Sequence, residues 1–246
     1  GLASLISKIP AKNRLADFPH YLMHRAEQLD NLYIFKNTEG TPENIRKFHP
    51  NIIVSSTGSA PLLPPIAGLK DRIDNKNHNI YSILGMISHI NDFPKDLEGK
   101  KVVVVGGGAV GLDVVEFFAD RNADISIVEM MDQIGRDLDP VSKNDTKTMM
   151  KKHNVHQLTK TALLEVKDSS FLVRGEDEPY ELPFEYGFVC LGMRAQGQLY
   201  QNLTEEFSSE DVEIMNIGDS QRARRIIDGT QEGRNILTVL EQKGYL

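Results

Sequence analysis

Three glycines and one glutamate are the residues whose types and spacing point most directly to a chemistry. Gly106, Gly108 and Gly111 follow a run of β-branched residues, Val102–Val105. In this arrangement the first glycine permits a tight turn, the second lets the backbone approach a diphosphate, and the third lets a helix pack closely on the strand. Glu129 stands eighteen positions after Gly111, where a carboxylate can accept hydrogen bonds from both hydroxyls of an adenosine ribose. The pattern predicts a dinucleotide-binding turn.

A strand, a helix and a second strand must position these residues. Val102–Val105 are typical of a strand buried on both faces of a parallel sheet. Apolar residues at helical spacing predict a helix over residues 111–120, and residues 125–129 are predicted to form the second strand. At the start of the helix, Ala109 and Val110 would offer unpaired N–H groups and a positive dipole end to phosphates.

The carboxylate also bears on which dinucleotide is bound. Glu129 would repel a 2′-phosphate, which favours NAD(H) over NADP(H). Met130, its neighbour, is included in the predicted cofactor-binding set. Arg136 lies a few residues further on and could reach a 2′-phosphate, so that alternative stays open. A strand–helix turn with no ligand is the purely structural alternative.

Composition restricts the class of protein. The 246 residues allow one large domain or two ordinary ones, and the net charge of -7 argues against a nucleic-acid binder or an anionic-membrane binder. No apolar run approaches the roughly 20 residues that cross a bilayer, and no secretory signal is evident. The single cysteine, Cys190, indicates a reducing, cytoplasmic compartment and is expected to be a small buried hydrophobe. No metal-ligand spacing or catalytic residue stands out, and the oligomeric state is not determined.

The remaining pattern predicts an α/β fold with a parallel sheet, because short strands alternate with helices. Helices are predicted at residues 17–29, from Thr41 to about residue 49, and at 82–90, 141–152 and 229–242. Further strands are predicted at residues 32–35, 51–55, 155–158, 163–166, 171–173, 186–191 and 214–217. The short strands after residue 155 suggest an antiparallel hairpin added to the sheet.

Further motifs flank the glycine-rich turn and together resemble a known family. A strand ending in Ser56-Thr57-Gly58 precedes the turn, one ending at Gly192 follows it, and a later one ends in Gly218-Asp219. This order resembles the glutathione-reductase-like flavoproteins, in which an NAD domain is inserted into an FAD domain. The closer resemblance is to the C-terminal part of 2,4-dienoyl-CoA reductase, 2-enoate reductase and related NADH:flavin oxidoreductases (NADH oxidases). It is carried by STGSAPLLPPIAGL (56–69), GKKVVVVGGGAVGLDVVEFFA (99–119), IVEMMDQIGRDLDP (127–140), FVCLGMR (188–194) and IGDSQRARRIIDGTQEGRNI (217–236).

The resemblance implies a division into two cofactor domains. Residues 98–192 would form a Rossmann-like NAD-binding domain, a parallel sheet with an added antiparallel hairpin. It would be inserted into an incomplete FAD-binding α/β domain made of residues 1–97 and 193–246.

The resemblance also implies flavin-binding residues. Thr57, Gly58, Gly218 and Asp219 would line FAD, with Asp219 on its ribityl chain, and Gly192 completes the predicted cofactor-binding set. The alternative for Asp219 is a turn residue that caps the next helix.

No glycine fingerprint precedes residue 58, so the sequence is expected to be a fragment of a longer enzyme and not active alone. The family's N-terminal barrel, which carries FMN and an iron–sulfur cluster, would be a partner domain. In the whole enzyme, NADH would pass a hydride to FAD and on to an acceptor such as an enoyl compound. Two alternatives stay open: a complete small FAD-dependent NADH oxidase or ferredoxin-reductase-like enzyme, and a non-catalytic NAD-sensing module.

Overall fold

Strands and helices alternate along the chain, as the hydrophobic pattern predicts. The structure is a computed structural model that describes residues 1–245. The helices are α1 (Leu2–Ile6), α2 (Asp17–Ala26), α3 (Pro42–Arg46), α4 (Leu69–Arg72), α5 (Ile83–Ser88), α6 (Ala109–Ala119), α7 (Pro140–Lys152), α8 (Gln198–Glu206), α9 (Ile226–Arg234) and α10 (Ile236–Gln242), with 3₁₀ turns at Pro10–Ala16 and Gly218–Ser220. The strands are β1 (Ile52–Ser55), β2 (Ser59–Pro61), β3 (Ile80–Tyr81), β4 (Lys101–Val105), β5 (Asp124–Val128), β6 (His156–Leu158), β7 (Ala162–Val166), β8 (Ser170–Arg174), β9 (Tyr180–Pro183), β10 (Tyr186–Val189), β11 (Met193–Ala195) and β12 (Glu213–Asn216).

The chain forms two units, each built from segments that are separate in sequence. The inserted unit contains residues 3–16 and 61–192, and the flanking unit contains residues 1–2, 17–60 and the chain from residue 193 onwards. Residues 61–97 thus pack in the inserted unit, whereas the sequence analysis grouped them with the flanking segments. The reason is β3, a strand of two residues that pairs in parallel with β10 and is too short to leave a periodic signal. The assignment of a cofactor to each unit stays a prediction.

A five-stranded parallel sheet forms the centre of the inserted unit. Its strand order is β3-β10-β4-β5-β6, so β4 is central. Val103 pairs with Ser126 on one side and with Gly187 on the other. The predicted α/β fold with a parallel sheet is confirmed.

Both faces of β4 are buried, as its run of β-branched residues predicts. Val102 and Val104 lie in one core with residues of α5 and α6. Val103 and Val105 lie in a second core with residues of β7 and β8, which form a three-stranded antiparallel sheet with β9. The predicted antiparallel addition is confirmed, and β9 extends it beyond the expected hairpin.

The first residues of the inserted unit pack on α6, although they show no periodicity in the sequence. Ile9 is only 1% exposed and belongs to the same core as α6. Lys12 forms ion pairs of 3.1 Å with both Asp113 and Glu116. Burial raises the pKa of Asp113, and the neighbouring Lys12 opposes that shift. One apolar side chain and one cation therefore hold this segment in place.

The flanking unit contains a parallel pair, β1 and β12, with a small core beside it. Ile53 pairs with Ile214, and Ile53 packs with Leu203 and Phe207. The two latter residues lie on or directly after α8, a helix that the sequence analysis did not predict. The predicted helix start at Thr41 is confirmed, because its hydroxyl accepts a hydrogen bond from the Asn44 amide.

Three predicted elements need correction. Residues 32–35 form no strand: they are exposed and have no hydrogen-bonded neighbouring strand among the described residues, so apolar composition alone was misleading. Residues 155–158 contribute β6 to the parallel sheet and not to the antiparallel sheet, because β6 pairs with β5. Residues 229–242 form parts of two helices, separated at Asn235 after the poor helix former Gly233.

None of the helices in residues 1–245 is both long and apolar enough to cross a membrane. Nor do three or more histidine, cysteine or carboxylate side chains in this range converge into a potential metal site.

Phe118 is expected to contribute strongly to stability, because its ring is fully buried between the sheet and α6. Phe118→Ala should lower the free energy of unfolding by about 3–5 kcal/mol, measured by urea denaturation. Phe48→Ala is the matched control, since Phe48 is 63% exposed. Equal losses in the two variants would contradict this description of the core.

Candidate dinucleotide site

Two glycines of the turn are required by the fold itself. Gly106 has φ +110, and a Cβ there would lie 2.1 Å from the carbonyl oxygen of Cys190. A Cβ on Gly111 would lie 1.9 Å from the carbonyl oxygen of Gly106. Because both neighbours are backbone atoms, neither can move aside. These two glycines let α6 pack directly against the end of β4.

Gly108 differs from the other two. Its φ is -81 and it lies outside the left-handed region. A Cβ there would approach no atom of residues 1–245 closer than 3.8 Å. Gly108 is also the N-cap of α6 and provides no side-chain cap to the helix. The first-turn amides of α6 therefore lack an intrahelical acceptor, and a missing side chain leaves room for an external one.

Glu129 lies beside the turn, directly after β5. One carboxylate oxygen, Oε2, accepts the Gly107 N–H at 2.6 Å, and the other, Oε1, accepts the Met131 N–H at 2.8 Å. Each oxygen of a carboxylate has two acceptor positions. Glu129 can therefore hold the turn and still accept hydrogen bonds from two hydroxyls.

The turn and this carboxylate border a cavity of about 360 Å³. The cavity is lined by residues of the turn and of the loop after β5: Gly107, Gly108, Glu129, Met131, Gln133, Arg136 and Asp137. That volume lies at the lower end of the range for small-molecule sites. The cavity, the open amides and the carboxylate suit the phosphate and ribose groups of a dinucleotide.

Of the predicted residues of this site, Gly108 and Glu129 line the cavity, and the others do not: Gly106, Ala109, Val110, Gly111, Met130 and Gly192. Ala109 and Val110 occupy the first turn of α6. Met130 is 68% exposed and does not line the cavity, whereas Met131 does. Gly192 has φ +99 and follows the end of β10. Sequence reasoning missed Gly107, Gln133 and Asp137, because a loop without periodicity carries no signal of where it folds.

The predicted flavin residues lie at the ends of β1 and β12. Since Ser55 pairs with Asn216, the two parallel strands end side by side. The Thr57 hydroxyl donates to the Gln196 carbonyl oxygen at 2.5 Å, and Gly58, with φ +78, accepts the Gln196 N–H at 2.9 Å. Residues 56–58 thus form an ordered loop that leaves the carboxyl end of β1.

Asp219 is held by two hydrogen bonds in the same region. Its Oδ2 accepts the Ser59 hydroxyl at 2.9 Å, and its Oδ1 accepts the Arg224 N–H at 3.0 Å. The preceding Gly218 donates its N–H to Glu232 at 2.6 Å. This bond, followed by the contact with Arg224, lowers the pKa of Glu232. Both carboxylates therefore fix the loop that connects β12 to α9.

These flanking residues fit only part of an FAD molecule. Asp219 and Thr57 offer polar groups that suit a polyhydroxyl chain. The described part of the flanking unit has a two-stranded parallel sheet, and no second glycine-rich strand–helix turn that could hold a diphosphate. The described residues of the flanking unit therefore do not form a complete FAD site.

A parallel sheet with a glycine-rich turn at the carboxyl end of its central strand defines a dinucleotide-binding α/β protein. The chain belongs to the pyridine nucleotide-disulphide oxidoreductase family, whose sequence profile matches residues 24–215. Its members are flavin-dependent NAD(P)H oxidoreductases. The finer resemblance to 2,4-dienoyl-CoA reductase stays a prediction.

Several relatives share this sequence at low identity. The chain is 26% identical to a metal reductase of Desulforamulus reducens over 89% of its own length and 36% of the relative. It is 24% identical to an NADH oxidase of Thermoanaerobacter brockii, over 95% of the chain and 34% of the relative. A solved complex of 2-naphthoyl-CoA reductase with 2-naphthoyl-CoA has a TM-score of 0.77 and 22% identity, covering 95% of the chain and 33% of that protein. The chain thus spans about a third of the length of these relatives.

Cys190 is the one cysteine of the sequence, so the 246 residues contain no redox-active pair. It is buried, and burial raises the pKa of its thiol to about 12. Its carbonyl oxygen, and not its sulfur, faces the glycine turn at Gly106. The residue acts here as a small buried hydrophobe, as predicted.

The two kinds of glycine should respond differently to alanine. Gly111→Ala forces a backbone clash with Gly106 and should lower the thermal midpoint by several degrees. Gly108→Ala meets only the Asp137 carboxylate, at van der Waals distance, and should cost less, about 0.5–1 kcal/mol, because alanine is a poorer N-cap than glycine. Calorimetry tests the pair, and a larger loss for Gly108→Ala would contradict the assignment.

Cys190 should be unreactive in the folded protein. Only the thiolate is nucleophilic, and at pH 8 a thiol with a pKa of about 12 is almost wholly protonated. The rate of labelling by Ellman's reagent should rise sharply on adding urea through the unfolding transition. Rapid stoichiometric labelling of the native chain would show that Cys190 is accessible to solvent in the folded protein, and would contradict its burial after β10.

Proposed function

We propose that the inserted unit binds NADH, and that the chain is the pyridine-nucleotide part of a flavin-dependent NADH oxidoreductase. The observation that carries this proposal is Gly108. The fold requires Gly106 and Gly111 for internal reasons, but no described atom comes close enough to require glycine at Gly108. Its missing side chain is explained by a group that approaches the start of α6 from outside.

Each residue of the site has a definite part in this proposal. The open amides at the start of α6 and the positive end of its dipole bind the diphosphate. Glu129 accepts hydrogen bonds from the adenosine ribose hydroxyls through the acceptor positions that Gly107 and Met131 leave free. Its charge, held next to the turn, disfavours a 2′-phosphate. Arg136, which lines the same cavity, supplies a cation for the dinucleotide phosphates.

For the whole enzyme, we propose the electron path that the family resemblance implies. In the whole enzyme, NADH would supply a hydride to FAD, and the reduced flavin would pass the two electrons on to an acceptor such as an enoyl compound. Thr57, Gly58, Gly218 and Asp219 would contact the flavin, with the remaining FAD contacts, the FMN and the iron–sulfur centre outside this sequence. The support is family membership together with relatives named as an NADH oxidase and a 2-naphthoyl-CoA reductase.

Glu129→Gln is the sharpest test of the dinucleotide preference. It removes the charge and keeps the size of the side chain, but its NH2 group must face one of the two backbone N–H groups that the carboxylate accepts, so the thermal midpoint is measured beside the titration. NADH binding, measured by calorimetric titration, should weaken about tenfold, because hydrogen bonds to a charged acceptor are worth about 1.5–3 kcal/mol. NADPH binding should stay equal or become tighter, since the repulsion of the 2′-phosphate is lost. A parallel loss for both nucleotides in a variant with an unchanged thermal midpoint would argue against contact with the ribose.

Gly108→Val provides a second, independent test. Its side chain would fill the space at the start of α6 and should abolish detectable NADH binding. Circular dichroism should remain close to that of the wild type, and the thermal midpoint should fall only slightly, because the Asp137 carboxylate, 3.8 Å from a Cβ at this position, is the nearest described group and valine is a poorer N-cap than glycine. Unchanged NADH affinity in a folded Gly108→Val variant would remove the basis of the proposal.

A further inference from the structure

Asp137 stands next to the glycine turn with a charge that no other described group neutralises. A Cβ on Gly108 would lie 3.8 and 3.9 Å from its two carboxylate oxygens. Asp137 makes no hydrogen bond or ion pair with any residue in the part of the chain that the structure describes. Glu129 in the same cavity differs, because two backbone N–H groups hold its carboxylate. Asp137 therefore presents a free negative charge to the start of α6.

The position of Asp137 is fixed by its neighbours in sequence. The Gly135 N–H donates to the Gly107 carbonyl oxygen at 2.7 Å, which ties this loop to the turn. On the other side, Asp139 caps α7 by accepting the N–H groups of Val141 and Ser142. Asp137 lies between these two anchors, so its carboxylate remains near Gly108 without bonds of its own.

Nearby cations do not remove this charge. The ammonium group of Lys143 donates to the carbonyl oxygen of Arg136, at 3.0 Å, and not to Asp137. The guanidinium group of Arg136 lines the cavity without an ion pair to a described residue. Among the described residues, the cavity is thus lined by the unpaired cation of Arg136, which attracts phosphates, and by the unpaired carboxylate of Asp137, which repels them.

We propose that Asp137 weakens dinucleotide binding by repelling the diphosphate. This inference rests on the proposed binding of NADH at the same turn. The diphosphate that binds the α6 amides must lie close to the Asp137 carboxylate, and two like charges a few ångströms apart oppose binding. The carboxylate is exposed, so solvent reduces the effect to less than tenfold.

Asp137→Asn tests the proposal, because it removes the charge and keeps the shape. We expect NADH and ADP to bind about two- to fivefold more tightly at low salt. Adenosine, which has no phosphate, should bind equally to both proteins. At about 1 M salt, where the screening length is ~3 Å, the difference for ADP should disappear. Calorimetric titration measures all three ligands.

Asp132→Asn is the matched control, since Asp132 is an exposed acid of the same loop that does not line the cavity. It should leave the affinity for ADP unchanged. Weaker or equal ADP binding by Asp137→Asn, while the wild type binds NADH, would overturn this inference and leave the proposed function intact. Tighter binding of adenosine as well would show that the effect is not repulsion of phosphate. Absence of NADH binding by both proteins would overturn both proposals.

Discussion

The close approach of α6 to the end of β4 is the contact on which the candidate site depends. Gly111 contributes no side chain, so its backbone rests against the carbonyl oxygen of Gly106. In turn, Gly106 adopts a positive φ and lies against the backbone at Cys190, directly after the neighbouring strand β10. One packed backbone junction thus joins the helix to two strands of the sheet. It aims the first amides of α6 at the carboxyl edge of the sheet, where ligands bind in folds of this type.

This junction is rigid because the sheet beneath it is buried on both sides. Helices cover one face of β4 and the antiparallel sheet contributes to the core on the other. A carboxylate at the end of β5 completes the arrangement by bonding to the turn itself. Glu129 therefore has a structural role as well as the proposed one in ribose recognition, which explains how its position is maintained before a nucleotide arrives.

The flanking unit has a smaller hydrophobic core than the inserted unit. Its parallel pair, β1 and β12, has a core centred on Ile53, Leu203 and Phe207. Hydrogen bonds fix the loops of this unit. Thr57 bonds to Gln196, and Asp219 bonds to Ser59 and Arg224. These contacts order the two family motifs without forming a diphosphate site. A unit with so little buried apolar surface depends more on hydrogen bonds for its local order than the inserted unit does.

The sequence by itself determined the features that depend on local pattern. Val102–Val105 predicted a doubly buried strand, and the three glycines with Glu129 predicted the turn and its chemistry. Only the tertiary structure decided which glycine is free of internal constraint, because the distance from Gly108 to other parts of the chain depends on long-range packing. The same holds for β3, which two residues cannot signal, and for the apolar segment at residues 32–35, which has no neighbouring strand. The place of Asp137 beside the turn was likewise invisible, since a loop without periodicity is positioned by its anchors and not by its own composition.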